Sequence, residues 1–153
     1  MAEANMKSER DAERQRAMAA LAAAPTRALA QIWDAWADKP ETQRVRGPET
    51  GLVMVRGRTG GGGSPFNLGE ATVTRATVRL STGEIGHSYA LGRDGEKAVV
   101  AATLDALWQT GARQRVMDAV VALEQAALEA DEQRRAETAA TRVNFFTMVR
   151  GED

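Results

Sequence analysis

The stretch Ala71-Thr72-Val73-Thr74-Arg75-Ala76-Thr77-Val78-Arg79-Leu80 alternates. Thr72, Thr74, Ala76, Val78 and Leu80 fall on one side, and Val73, Arg75, Thr77 and Arg79 on the other. A period of two is the mark of a strand with one face buried and one wet, because successive side chains point to opposite faces. Ser81-Thr82-Gly83-Glu84 follows as a hairpin turn, with Gly83 free to take the positive φ such turns require. In the next strand Ile85, His87, Tyr89 and Leu91 share one face, while Gly86, Ser88, Ala90 and Gly92 share the other. Leu52 to Arg58 reads as a further strand. The connections are too short for crossover helices, so the strands form an antiparallel meander.

On either side of this centre the period becomes helical. Ser8 to Ala24 is rich in helix formers, with Ser8 placed to cap it and a thin apolar stripe of Met18 and Leu21. Met1 to Lys7 is expected to be disordered. After Pro25, Thr26 is placed to cap a second helix whose Leu29, Ile32, Trp33 and Trp36 recur at i, i+3, i+4 and i+7, ending at Lys39-Pro40. Beyond Gly92, Val100, Leu104, Leu107 and Trp108 make a third stripe, closed by Gly111. Ala112, Val116, Ala119, Val120, Leu123, Ala127 and Ala130 continue as a longer helix that turns to alanine and charge after Asp131. The expected fold class is α+β: a central antiparallel β-meander with helices before and after it, in a single domain spanning residues 8–153.

The composition of the 153 residues narrows the function classes. Hydrophobic residues are 43% and charged residues 27%, an ordinary globular balance. For a mass of 16.4 kDa a compact fold exposes roughly 7,500 Å². Twenty Lys and Arg against 21 Asp and Glu give a net charge of -1, without the basic excess that drives nucleic-acid binding. There is no cysteine, hence no disulfide, thiolate nucleophile or Cys-held iron-sulfur cluster, and the single histidine is His87. The first 20 residues are studded with charge and no apolar run is long enough to span a bilayer, so the chain is read as cytoplasmic with no membrane partner.

Few residues offer chemistry. Gly60 to Gly63 lacks the Gly-Lys-Ser/Thr and the following helix of a phosphate loop, and reads as a connector between strands. Glu49, Glu70, Glu84, Asp94 and Asp105 show no spacing that sets two carboxylates on one buried face, so no catalytic residue and no metal site is nominated. The substrate-binding candidates are Arg75, Arg79 and His87. Arg56 and Arg58 join the two arginines if the strands bring all four guanidiniums to one face, and a solvated outer face is the alternative. The tail carries Val143, Phe145, Phe146, Met148 and Val149 beside Arg150, within residues 142–150. Leaving such side chains in water forfeits roughly 1.5 to 3 kcal/mol each. They pack either on this chain's own sheet or into another protein, where aromatic and Met anchors with a rim arginine are enriched.

Glu49-Thr50-Gly51-Leu52-Val53, the stretch Leu68 to Ala76 with Val78-Arg79-Leu80, Gly92-Arg93-Asp94, and the tail Arg142-Val143 with Phe145 to Gly151 resemble the PhnG family, subunits of the bacterial carbon-phosphorus lyase core complex. The resemblance covers about residues 17 to 152. It departs from the family pattern at His87, where an aromatic is expected, and in the longer pure-glycine run. The resemblance implies a chain that works with PhnH-, PhnI- and PhnJ-like subunits in a hetero-oligomer, with the tail at a partner interface. It implies support of a PhnI-type transfer of an alkylphosphonate onto the ribose C1′ of ATP with release of adenine. MgATP is then a substrate of the complex, the iron-sulfur cluster and S-adenosylmethionine belong to the PhnJ-like partner, and no cofactor belongs to this chain. A direct contribution of substrate-binding residues at a shared active-site interface is the alternative.

Overall fold

A computed structural model describes residues 2–141. The fold is α+β: α1 (Ala2–Ala23), α2 (Thr26–Asp34), β1 (Thr42–Arg58), a 3-10 turn (Thr59–Gly61), β2 (Pro65–Leu80), β3 (Ile85–Leu91), α3 (Gly95–Trp108) and α4 (Arg113–Ala140). The strands form one antiparallel sheet in the order β1-β2-β3. The alternation on β2 holds from Thr74 to Leu80, with Thr74, Ala76, Val78 and Leu80 buried and Arg75 and Arg79 exposed; ahead of it Val73, expected on the wet side, is buried, and Thr72 is only half-buried. The Gly83 turn also forms, with φ +109 and the Gly83 amide donating to the Leu80 carbonyl at 2.9 Å.

The hydrophobic core lies between the inner sheet face and α3, which is buried almost all round because Ala98, Ala101, Ala102 and Ala106 let neighbours approach from every side. Its closest approach is to β3. A Cβ placed on Gly86 would stand 1.9 Å from the Ala102 carbonyl oxygen and 2.5 Å from the Ala106 nitrogen. The Gly86-Ser88-Ala90 face of β3 therefore points inward and Ile85, His87, Tyr89 and Leu91 point out.

A buried carboxylate fixes α1 across this layer. Asp105, 1% exposed, accepts from Arg14 Nε and Nη2, both at 2.8 Å, and from the His87 backbone amide at 2.9 Å. That pairing raises the Arg14 pKa above its ordinary value, against the opposing effect of partial burial. Trp108 Nε1 donates to Met117 Sδ at 3.3 Å, with the Arg113 guanidinium 4.4 Å from the ring centroid, joining α3 to α4.

Several boundaries differ from the sequence reading. Helix α1 is already helical at Ala2, so Ser8 lies inside it and does not cap it. Thr26 does not cap α2 either, since the N-cap position is Pro25; its hydroxyl donates to Asp94 at 2.8 Å. Asp94 in turn caps α3 by accepting from the Lys97 amide at 2.9 Å. Helix α2 stops at Asp34, well before Pro40, yet Trp36 remains buried. Strand β1 begins at Thr42, ten residues ahead of the expected start, and crosses Gly47-Pro48 by shifting register between Arg46 and Glu49. On α4 burial ends at Leu123; Ala127 and Ala130 stay exposed along an open groove beside α1.

Candidate functional site

The outer face of the sheet collects the residues that sequence reasoning singled out. Arg75 on β2 pairs with Tyr89 on β3 and Glu49 on β1, and Arg79 pairs with Ile85 and Gln43. Thr77, between the two arginines, pairs with His87. Arg75, Arg79 and His87 thus share one open face, three alternating positions on neighbouring strands. Arg56 and Arg58 do not join them. They follow Val55 in the alternation that starts at Glu49, and fall on the opposite face of β1.

Each of the three is already engaged. Arg75 donates through Nε (3.0 Å) and Nη2 (2.9 Å) to Glu49 Oε2, which Arg46 Nε also reaches at 3.1 Å. The Arg46 and Arg75 guanidiniums, in that order of effect, hold the Glu49 carboxyl below its usual range. Arg79 Nη2 donates to Gln43 Oε1 at 2.8 Å, and His87 Nδ1 lies 3.2 Å from Thr77 Oγ1. The Asp105 carboxylate takes the His87 backbone amide, not its ring, so Thr77, His87 and Asp105 are not wired as a nucleophile, base and orienting acid. A recess of about 180 Å³ opens between Glu49, Val53, Val73, Arg75 and Tyr89. The guanidinium at its wall is tied to Glu49, so the recess offers a polar contact and no catalytic pair. Among the described residues no three His, Asp or Glu side chains are placed to share a metal ion, and no helix is long and apolar enough to cross a membrane.

What the face offers besides these polar groups is apolar surface. Tyr89 is 54% exposed and Leu91 72%, and past them Val55, Phe66 and Leu68 continue this face while Leu52 and Met54 lie on the opposite one, all of them exposed. The sequence carried the signal for this in Leu52-Val53-Met54-Val55, a run without alternation, the pattern of a strand covered on both faces. The tail residues Val143, Phe145, Phe146, Met148, Val149 and Arg150 lie outside the described residues.

The face thus combines engaged arginines with uncovered apolar residues. The family model "Phosphonate metabolism protein PhnG" matches residues 12–151. The chain belongs to the PhnG family. A curated relative from Rhizobium meliloti (strain 1021), "Alpha-D-ribose 1-methylphosphonate 5-triphosphate synthase subunit PhnG", is 59% identical over 143 residues, 93% of this chain and 92% of the relative. The match to the family model runs to residue 151 and so spans the tail.

Proposed function

We propose that this chain is a subunit of the phosphonate-processing synthase of the carbon-phosphorus lyase pathway, serving assembly and support of catalysis. The observation that carries the reading is its likeness along nearly the whole chain to a synthase subunit. In the reaction the bond from ribose C1′ of ATP to adenine breaks, a C1′–oxygen bond to the alkylphosphonate forms, and adenine leaves with the electron pair and takes up a proton. The bond-making groups belong to a PhnI-like partner; PhnH- and PhnJ-like chains complete the assembly, the latter holding the iron-sulfur cluster and S-adenosylmethionine used later. Val143, Phe145, Phe146, Met148 and Val149 anchor this chain to its partners, with Arg150 at the rim.

The test is co-expression with PhnH-, PhnI- and PhnJ-like proteins, with mass and composition read by light scattering and mass spectrometry. A stable hetero-complex is expected, and truncation after Ala140 is expected to abolish it. A monodisperse lone protein refutes the subunit reading, and a truncated chain that still co-purifies refutes the role of the tail.

A second reading is favoured by the sharing of one face by Arg75, Arg79 and His87: that face contributes substrate contacts at an interface. It requires that alanine at these positions leave the complex intact while stopping product formation. Unchanged turnover rejects it.

A further inference from the structure

Strands β1 and β2 outrun the rest of the fold. Strand β3 ends where Leu91 pairs with Val73, yet β1 and β2 remain paired from Leu52↔Thr72 to Arg58↔Pro65. At about 3.4 Å per residue this two-stranded arm projects about 20 Å. Strand β1 is a sheet edge, and β2 has lost its other neighbour, so among the described residues both edges of the arm are open. Among the described residues nothing covers its two faces either. The Leu68 side chain lies over Gly57, grouping it with Val55, while Leu52 and Met54 alternate to the other face. Leu52 and Leu68 are 61% and 63% exposed. Isolated two-stranded hairpins are marginal in water, and long exposed apolar edges are normally blunted or covered.

The charge on the arm identifies what covers it. Between Thr50 and Gly69 the only charged residues are Arg56 and Arg58. Arg58 Nη1 donates to the Gly63 carbonyl at 3.3 Å, and Arg56 has no ionic partner among the described residues. Two copies of the arm would bring four guanidiniums together with no carboxylate between them, so self-pairing is disfavoured.

We infer that the arm Leu52–Leu68 is clasped in an apolar cleft of a partner subunit of different sequence, whose carboxylates at the far end of the cleft receive Arg56 and Arg58. This rests on the subunit reading above and adds where the partner holds. The test uses the full chain alone and in its co-expressed complex, comparing amide hydrogen exchange along residues 52–58 and 65–71. About a hundredfold slowing in the complex is expected for these amides. Arg56→Glu with Arg58→Glu should weaken assembly about tenfold or more, with an unchanged melting temperature of the lone chain, because both side chains are exposed. Leu52→Thr with Leu68→Thr should weaken it similarly. A complex that forms with arm exchange unchanged and tolerates both variants overturns the inference and leaves the subunit reading standing. Arm protection in a homodimer of the lone chain overturns the choice of partner. Failure of the wild-type chain to co-assemble overturns both.

Discussion

Replacing Gly86 by alanine adds one methyl group, and the structure leaves no room for it. The new Cβ would stand 1.9 Å from the Ala102 carbonyl oxygen and 2.5 Å from the Ala106 nitrogen. Carbon and oxygen settle at about 3.3 Å or more, so α3 and β3 must part by roughly 1.4 Å. Neither obstacle is a side chain that can rotate away; both belong to the α3 backbone. A gap of about 1 Å forfeits up to half of each dispersion contact it opens, and it opens them along the helix that shares the core with Ala76, Val78 and Leu80. The cost belongs at the top of the overpacking range, about 3 kcal/mol, which for a chain of this size lowers the melting temperature by about 6–12 °C. Gly51→Ala is the control, since nothing lies within 4 Å of a Cβ there and its φ is not positive; it should be neutral or stabilise by about 0.4–1 kcal/mol. Thermal unfolding followed by circular dichroism reads both. If Gly86→Ala melts within 2 °C of wild type, the close helix–sheet contact is not what fixes α3, and the reasoning fails.

The buried pair is the second place to probe. Asp105→Ala strips Arg14 and the His87 amide of their acceptor and should cost about 3 kcal/mol, at the low end for a broken buried pair because Arg14 is 29% exposed and can turn to water; Arg14→Ala leaves the Asp105 carboxylate, 1% exposed, without its cation and should cost at least as much, and a clearly smaller loss for Arg14→Ala in urea unfolding would contradict this. Asp94→Ala removes the α3 cap and the Thr26 tie and should cost about 1 kcal/mol at neutral pH. The Lys97 amide first and the Thr26 hydroxyl second hold the Asp94 carboxyl below its usual range, so its stabilisation is full above the unfolded-state value and fades as pH falls through the lower folded-state value. The gap between wild type and Asp94→Ala should therefore shrink below about pH 4, and a gap constant down to pH 2 would refute this.

Where the sequence was readable, it was because one residue decided one local fact. The β2 alternation, the Gly83 turn and the Leu29–Trp36 stripe depend on neighbours in the chain, and all three appear in the structure. The facts that escaped depend on distant groups. Asp105 looked like one carboxylate among several until Arg14, 91 positions away, met it. Thr26 has the chemistry of a cap, but its hydroxyl is spent on Asp94. The early start of β1 was hidden by Gly47-Pro48, which reads as a break and is absorbed by a register shift at a sheet edge, where no neighbour strand needs the missing donor. For the site, Arg75, Arg79 and His87 could be named from sequence, whereas their partners Glu49, Gln43 and Thr77 required the strand register.

The orientation of β3 ties the core to the surface. By hydropathy alone Ile85, Tyr89 and Leu91 belong inside and Gly86, Ser88 and Ala90 outside. The opposite holds because α3 presents alanines, and a helix of small residues gains most by coming close to a strand of small residues. Gly86 and Ala90 permit that approach, and Ser88 stays inside by donating to the Ala98 carbonyl at 2.7 Å. Period-two geometry then forces the large side chains outward. The exposed apolar side chains of β3 are thus not a defect of packing; they follow from the close seat of Gly86 against the α3 backbone, and they leave Ile85, Tyr89 and Leu91 free for a partner.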